Sequence, residues 1–516
     1  MKNIILCSDG TGNRDVKGRG TNVFKLFEAI DLNEHRTNLA YDAQLAFYDD
    51  GVGTRGNAIA RIAGGAVGYG LERNVKELYR ELVRVYDPGD RIFLFGFSRG
   101  AFTVRTLAGM IDRCGVLRNE FDTARKLRDA VDDVYAAYRA HYHSRLTDRL
   151  ARLFDWPDSE TALNRLRSEH SLHDEVPIEF IGVWDTVDAV GLPFAFADAI
   201  NSLIYQFKFP ACRLGNHVKK ACQALSIDDP RLAFSPVLWK GPDARIEQVW
   251  FAGVHSNVGG GYPKQGMSLV ALDWMLAHAE SSGLRLQQAD RDLFRGHATV
   301  DDLIYDPRSG WGALYRWGLR DIKRYCDDNG IRPSIHLTVA ERIAHGTDDY
   351  APGNIPPGSS VAFTPVDAGA ESRDEKTRLM AYQAKTIEQA LHRALGCRYL
   401  LAEAGDAIRQ ANVSYSLAIT ACVLLAAGFS LVAATGWFAQ SWTLMTGWLT
   451  ISAGLIALSA AASLARASDR SLDDTFSGFW QRHQEALRAA LKHCKAEARR
   501  ETMFRGSASA MVRKAS

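Results

Sequence analysis

The chain lacks the cysteine patterns that mark metal or disulfide scaffolds. Its eight cysteines are scattered over 516 residues, and no pair has the CxxC spacing of a zinc site or redox centre. We therefore expect reduced thiols and no bound metal or cofactor. Basic and acidic residues nearly balance, 62 against 60, so the net charge of +2 gives no indication of nucleic-acid binding. The first apolar run, Ile4 to Cys7, is too short for a signal peptide.

Charge is missing altogether from one late segment. Residues 410–465 contain no Asp, Glu, Lys, Arg or His, and this segment is more than twice the ~20 residues that cross a bilayer once. Two spans fit, 416–435 and 444–464, with Trp437 and Trp442 in the turn, where aromatic side chains favour the membrane interface. Arginines flank both outer ends, so we expect a two-span hairpin in the bilayer with both termini cytoplasmic. A buried hairpin of a soluble core is the alternative.

Strand and helix patterns alternate over the first 345 residues. Short apolar runs predict strands at 3–7, 44–48, 91–95, 176–184, 245–253 and 335–339. Helical spacing predicts helices at 21–30, 70–86, 217–225 and 269–279. This alternation predicts an α/β fold, a mainly parallel sheet with helices on both faces.

The same patterns suggest how the chain is divided. We expect a catalytic domain over 1–345, within which 119–175 shows only helical periodicity and is interpreted as an insertion. That insertion is either a cap over the site or an extra helical pair on the surface. A connector over 346–409, irregular and then helical, leads to the hairpin at 410–466. An amphipathic helical tail with a disordered end follows.

One five-residue motif stands between a predicted strand and a predicted helix. Gly96-Phe97-Ser98-Arg99-Gly100 has the G-x-S-x-G pattern of a nucleophile elbow, in the strand–turn–helix context that the chemistry requires. Glycines at both ends allow a tight turn with close packing. We therefore expect Ser98 to be a nucleophile with its hydroxyl exposed at the tip of the turn.

A serine hydroxyl needs a base within hydrogen-bond reach, and that base needs an orienting acid. In α/β-hydrolases these residues follow later strands in the order Ser, Asp or Glu, His. Asp185 and His255 follow the next predicted strands in that order. Asp188, Asp228 and Asp229 remain alternatives for the acid.

The oxyanion formed on attack needs preorganised N–H donors. One is expected from Arg99, directly after the nucleophile, and the second from the loop after an early strand, where Gly10 or Thr11 lies. Asp9 in that loop could bind a metal or brace the turn. Bracing is the better interpretation, because no second carboxylate or histidine cluster lies nearby in the sequence.

Several ordered motifs together resemble a known family, the α/β-hydrolases that include type VI secretion phospholipase effectors and related uncharacterised proteins. The matching stretches are LCSDGTGN (6–13), TNVFKL (21–26), GVGT (51–54), LFGFSRGAF (94–102), FIGVWDTV (180–187), ALSIDDPR (224–231), VWFAGVHSNVGGGY (249–262) and IHLTVAERI (335–343). The resemblance implies a Ser98, Asp185 and His255 triad and hydrolysis of lipid esters. The family usually has aspartate where this chain has Asn257, a departure that bears on activity.

Two hypotheses follow. The first is a membrane-anchored serine hydrolase, a phospholipase acting on membrane phospholipid. It is either a resident enzyme or a secreted effector, the latter with an unidentified secretion-apparatus or immunity partner. The second is a membrane-tethered binding or scaffolding module without activity, which Asn257 and the open choice of acid would suit.

Overall fold

The computed structural model describes residues 1–10, 20–50, 66–141, 159–187, 213–309, 315–365, 370–434 and 441–515. Its central element is an eight-stranded sheet. The strands are β1 (Lys2–Ser8), β2 (Ala43–Asp49), β3 (Arg91–Phe97), β6 (Ile178–Trp184), β7 (Val218–Ser226), β8 (Ile246–Phe251), β9 (Ser334–His336) and β10 (Ser360–Ala362). Two further strands, β4 (Val116–Leu117) and β5 (Leu172–His173), form a small antiparallel ribbon.

All neighbouring strands of the large sheet pair in parallel, in the order β2-β1-β3-β6-β7-β8-β9-β10. The predicted α/β class is confirmed. The strand order reverses between β1 and β3, because β2 lies on one side of β1 and every later strand lies on the other. In such sheets the carboxyl ends beside the reversal form a crevice where ligands bind.

Fourteen helices are described outside the sheet. They are α1 (Asn22–Ala29), α2 (Ala66–Val85), α3 (Arg99–Cys114), α4 (Ala124–Ala140), α5 (Ser159–Glu169), α6 (His255–Gly259), α7 (Gly266–Ser281), α8 (Gln288–His297), α9 (Ile322–Asn329), α10 (Leu337–His345), α11 (Ala370–Leu395), α12 (Leu400–Glu403), α13 (Gly405–Ala434) and α14 (Ser441–Ala515). Short 3-10 turns cover Glu34–Arg36, Leu232–Phe234 and Thr347–Asp349.

The helices cover both faces of the sheet, as the buried apolar strands require. On one face, α2, α3 and α4 bury side chains such as Leu78, Leu107 and Val134. On the other face, α1 and α7 bury Leu26 and Trp274. A third apolar cluster continues beyond the β10 edge and joins α10, α11 and α14 to the sheet.

One secondary-structure prediction was wrong. Residues 217–225, predicted as a helix, form β7 between β6 and β8. Its last six residues, Ala221 to Ser226, are fully buried. A short apolar run fits helix and strand equally well, and here the two flanking strands decide the outcome.

Three smaller predictions also differ from the structure. The strand predicted at 335–339 ends at His336, and α10 begins at the next residue. The irregular stretch 350–365 contains β10. Helix α14 runs to Ala515, through residues for which the composition predicted disorder.

The described parts of the insertion form an extra helical pair. Helices α4 and α5 pack on each other, and α4 also packs on α2 and α3. The β4–β5 ribbon follows the C-terminal end of α3, whereas Ser98 precedes its N-terminal end. The part of the insertion that the structure describes therefore lies along the helical layer rather than over the nucleophile motif.

The two long C-terminal helices pack closely as a hairpin. A methyl group added at Gly428 would lie 2.6 Å from Ile451 Cγ1, and one at Gly447 would lie 2.7 Å from Val432 Cγ2. Small residues thus let the helix backbones approach.

The outward surface of this hairpin is apolar. Val423, Phe429, Trp442, Trp448 and Ile456 are all more than half exposed. Both helices are long and apolar enough to cross a membrane, and only 11% and 17% of their most apolar windows is buried. A core helix of a soluble protein would be mostly covered, so this exposure favours the membrane interpretation.

Candidate active site

The G-x-S-x-G motif forms a sharp turn between β3 and α3. Ser98 has φ 57° and ψ −120°, a strained conformation for a residue with a side chain. Its N–H donates to the Trp184 carbonyl at 3.0 Å. A methyl group at Gly96 would lie 2.5 Å from the Gly100 carbonyl oxygen, and one at Gly100 would overlap the Ser8 carbonyl. Both glycines are therefore required by close backbone contacts, and the turn lies against the end of β1.

The Ser98 side chain is more covered than the motif predicted. The residue is 7% exposed, not held out at an open tip. Among the described residues, no hydrogen bond joins its hydroxyl to His255. The serine turn contacts His255 through the residue before Ser98, because the Phe97 and His255 rings pack with centroids 4.6 Å apart.

Asp185 and His255 come together although 70 positions separate them in the sequence. Asp185 follows β6, and His255 is the first residue of α6, directly after the β8 loop. The His255 Nδ1 and Asp185 Oδ2 atoms are 2.5 Å apart, and both side chains are buried. A carboxylate on Nδ1 fixes the ring so that Nε2 carries the lone pair, which is the form that a general base needs.

The alternative acids have other partners. Asp228 accepts hydrogen bonds from the Gly253 N–H at 2.6 Å and the Tyr350 hydroxyl at 2.9 Å. Asp229 accepts the backbone N–H of His255 at 3.1 Å but does not bond its ring. Asp188 lies outside the described residues. Within the described part of the chain, the geometry thus favours Asp185 as the carboxylate that orients the imidazole.

Arg320 is a site residue that sequence reasoning missed. Its Nη1 and Nη2 donate to the two Asp185 oxygens at 2.6 and 2.9 Å, across 135 positions of sequence. The same two nitrogens donate to the Ser226 and Phe234 carbonyls at 2.8 and 2.6 Å. Arg320 stands in no motif, so nothing in the sequence distinguished it from other arginines.

The surroundings of Asp185 and His255 set the charge of both side chains. Burial alone would raise the pKa of Asp185, but attraction to Arg320 and hydrogen bonding to His255 outweigh it and hold that pKa well below its ordinary 3.8. Burial lowers the pKa of His255 below its ordinary 6.5, and the nearby Asp185 only partly opposes this. The result is an ionised acid beside a neutral imidazole, a pair able to accept a proton at neutral pH.

Two of the predicted oxyanion donors, Gly10 and Arg99, follow the neighbouring strands β1 and β3. Arg99 is the first residue of α3, where helix N–H groups point outward. The Gly10 N–H, however, donates to Asp9 Oδ1 at 2.6 Å, so its use as an oxyanion donor would require that bond to break. Thr11 lies outside the described residues. Asp9 also accepts hydrogen bonds from Thr21 and Tyr48, as a bracing residue would.

Asn257 has a structural role that an aspartate could not fully reproduce. Its Oδ1 accepts the Val254 N–H at 3.3 Å, which closes the turn around His255. Its Nδ2 donates to the Leu303 carbonyl at 3.0 Å. A carboxylate has no such donor, so the amide suits this loop.

The described residues offer one cluster that could hold a metal: Asp133, Glu169 and His170 on the insertion. Both carboxylates already have partners, because Asp133 pairs with His170 at 3.1 Å and Glu169 with Arg165 at 2.8 Å. The two acids are also exposed. We regard this as a surface ion-pair network and assign no metal to it.

The sheet topology, the strained serine turn and the Asp–His pair define an α/β protein with a candidate hydrolytic centre at the carboxyl edge of its sheet. Its family is established by sequence: residues 2–278, more than half of the chain, match the model described as "T6SS, Phospholipase effector Tle1-like, catalytic domain". The protein belongs to this family, and the expected resemblance is confirmed.

Individual relatives are more distant. Uncharacterized protein YEL023C of Saccharomyces cerevisiae is 27% identical over 254 residues, which are 46% of this chain and 33% of that protein. The match thus spans about a third of the relative's length.

Two solved structures were also compared. An uncharacterized protein from Pseudomonas aeruginosa shows 20% identity and a TM-score of 0.35 over 74% of this chain and 58% of that one. The Tle1 effector bound to the VgrG spike shows 17% identity and a TM-score of 0.28 over 51% of each chain. Neither superposition is close enough to transfer detail.

Proposed function

We propose that this protein is a membrane-anchored serine esterase that hydrolyses phospholipids. The observation that carries the proposal is the buried Asp185–His255 pair, which lies beside the strained Ser98 turn in a chain of a phospholipase effector family. A buried carboxylate on Nδ1 of a neutral histidine is the arrangement that activates a serine hydroxyl.

In the proposed reaction, His255 Nε2 removes the proton of Ser98 Oγ as that oxygen attacks the ester carbonyl. The tetrahedral oxyanion takes hydrogen bonds from the Arg99 N–H and from the β1 loop at Gly10 or Thr11. His255 then returns the proton to the leaving alcohol. Water, deprotonated by the same nitrogen, hydrolyses the acyl-enzyme. The missing Ser98–His255 hydrogen bond must form when substrate binds, as often happens in enzymes without ligand.

The hairpin would hold this centre at its substrate. Residues after the second span run back into the α/β part, where Trp480 Nε1 donates to the Pro352 carbonyl and Gln484 Nε2 to the Ile343 carbonyl, both at 2.8 Å. The helix that carries the second span is therefore joined to the α/β part by tertiary hydrogen bonds and not only by a linker. Tethering raises the effective concentration of lipid esters at the site. Both termini would face the cytoplasm in a resident enzyme. A secreted version would place the hairpin in a target membrane and add the secretion-apparatus and immunity partners expected above.

The decisive test labels the full-length chain, in mixed micelles of detergent and phospholipid, with a fluorophosphonate probe while fatty-acid release is followed. We expect labelling at Ser98. Ser98→Ala and His255→Ala should abolish labelling and lower fatty-acid release by ~10³-fold or more. Ser168→Ala, an exposed serine on α5, is the matched control and should behave as wild type. A folded wild type that neither reacts nor releases fatty acid would disprove the proposal.

One observation favours a second candidate, a non-enzymatic binding module on the same fold. Ser98 has no hydrogen bond to His255 among the described residues, and the Gly10 N–H is already used by Asp9. A wild type that stays unlabelled, yet still binds phospholipid vesicles, would support this alternative.

A further inference from the structure

Besides that of Arg320, a second guanidinium group, that of Arg231, lies near the Asp185–His255 pair. Arg231 follows β7, and its Nε and Nη2 donate to the two oxygens of Asp229 at 3.0 and 2.7 Å. The Asp229 side chain is fully buried. The same carboxylate accepts the backbone N–H of His255 at 3.1 Å. One buried acid therefore positions both Arg231 and the proposed base.

An aromatic ring connects Arg231 to the catalytic histidine. The Arg231 guanidinium carbon lies 3.6 Å from the centre of the Phe234 ring. That ring meets His255 edge to face, with centroids 5.0 Å apart. Burial is the main cause of the lowered pKa of His255; Asp185 and Asp229 oppose it, and the positive charge of Arg231 adds a smaller lowering contribution. The Phe234 ring thus contacts both the Arg231 guanidinium and the His255 imidazole.

Arg231 keeps unused hydrogen-bonding capacity, and in this it differs from Arg320. Among the described residues, no hydrogen bond uses Arg231 Nη1, and the side chain remains 12% exposed. Arg320 instead spends both terminal nitrogens on four hydrogen bonds and is 2% exposed. Of the two arginines around the Asp185–His255 pair, Arg231 is the one that can still bind a ligand.

We propose that Arg231 binds a phosphodiester oxygen of the lipid whose ester lies at Ser98, so that it sets a preference for phospholipids over neutral glycerides. This inference rests on the proposed function. Guanidinium groups bind phosphate through charge-assisted hydrogen bonds, and Asp229 and the Phe234 ring hold this one in a fixed orientation. In a glycerophospholipid only the glycerol carbons and their oxygens separate the phosphate from the ester, so both groups can be held at once.

The test compares two substrates with identical acyl chains in the same neutral-detergent micelles, using the full-length protein. One is phosphatidylcholine, chosen because it adds no net surface charge, and the other is diacylglycerol. The readout is the ratio of their kcat/KM values, since general damage to the site lowers both. Arg231→Gln should lower this ratio by ~10-fold or more, mainly through KM for phosphatidylcholine. Arg231→Lys should retain part of the preference.

Two further variants make the result interpretable. Arg231→Gln leaves Asp229 without its ion pair, so the double variant Asp229→Asn with Arg231→Gln removes both charges and keeps an amide oxygen for the His255 N–H. It should show the same lowered ratio. Arg324→Gln, on the exposed side of α9, is the matched control and should keep the wild-type ratio and rates.

The outcomes separate the two proposals. A ratio within ~2-fold of wild type in both the single Gln variant and the double variant overturns the role of Arg231, while the serine-esterase proposal stands. Inhibition of diacylglycerol hydrolysis by inorganic phosphate, weakened in the Gln variant, would support a site that also accepts free phosphate. No inhibition, with the ratio lowered, would support lipid-borne phosphate only. A folded wild type that hydrolyses neither lipid overturns both proposals.

Discussion

Replacing Arg320 by methionine should destabilise the protein more than any change to a surface arginine. Arg320 holds both oxygens of the buried Asp185 and also satisfies the Ser226 and Phe234 carbonyls. Removing one partner of a buried ion pair leaves the other charge uncompensated and costs about 3–5 kcal/mol. This is a large part of the ~5–15 kcal/mol by which a domain is usually stable.

The effect of this substitution should depend on pH, with a definite sign. In wild type the folded-state pKa of Asp185 lies below its ordinary 3.8, so its ionisation stabilises the fold above that pH and the contribution is lost on acidification. Without Arg320, burial dominates and the pKa of Asp185 rises. The variant then gains stability as Asp185 takes up a proton. The difference between wild type and variant should therefore be largest near pH 7 and narrow towards pH 4.

The measurement is chemical denaturation of the full-length protein in detergent at several pH values. Arg324→Met is the matched control: its only described ion pair, to Asp328, is at 3.6 Å and the Arg324 side chain is 77% exposed, so its change should stay within about 0.5 kcal/mol. Arg320→Lys keeps the charge but loses the bidentate hydrogen bonding, so its stability should lie between those of wild type and Arg320→Met. The reasoning would be refuted if Arg320→Met lowered the free energy of unfolding by less than about 1 kcal/mol at pH 7. It would also be refuted if the difference in unfolding free energy between wild type and variant did not change with pH.

Three further predictions concern glycines and the turn around the base. Gly100→Ala should disrupt the serine turn and lower the melting temperature, because its methyl group would overlap the Ser8 carbonyl; Gly296→Ala, with open space around it, should stabilise α8 by up to ~1 kcal/mol. Asn257→Asp should cost about 1–3 kcal/mol in denaturation, since it sets a carboxylate against the Leu303 carbonyl; equal stability would contradict that contact. Gly428→Leu should separate the hairpin helices and lower thermal stability in detergent, and an unchanged melting curve would argue against the packing seen here.

The pH dependence of activity tests the state of the proposed base. Burial lowers the pKa of His255 below 6.5, so the imidazole stays neutral, and able to accept a proton, at a lower pH than an ordinary histidine. The acidic limb of kcat/KM should therefore fall below pH 6.5. An acidic limb clearly above pH 6.5 would mean that Asp185 raises the pKa of His255 more than burial lowers it.

Local patterns were sufficient for much of this molecule. The alternation of apolar strands and amphipathic helices predicted the α/β class, and the turn at Ser98 carried its own strand, glycines and helix. The helix predicted from residue 21 has Thr21 as its N-cap, whose hydroxyl accepts the Phe24 N–H at 3.2 Å. Each of these features depends on residues close together in the chain, which is why sequence alone could predict them.

Other features depend on partners distant in sequence. Residues 218–226 form a strand because β6 and β8 lie on either side, and a short apolar run does not encode that choice. In the sequence, Asp185, Asp188, Asp228 and Asp229 were all candidates for the acid. The geometry that favours Asp185, a carboxylate oxygen 2.5 Å from the His255 ring, arises only on folding. The exposure of Ser98 likewise depends on what packs around the turn.

By itself, then, the sequence determined the family, the fold class, the serine turn and a segment free of charge that is long enough for two membrane spans. Tertiary structure alone brought Arg320 to Asp185 and the backbone N–H of His255 to Asp229, a carboxylate that also pairs with its near neighbour Arg231. The physical reason is that the charge state of a buried group is set by desolvation and by neighbours within a few ångströms, and those neighbours come from loops far apart in the chain.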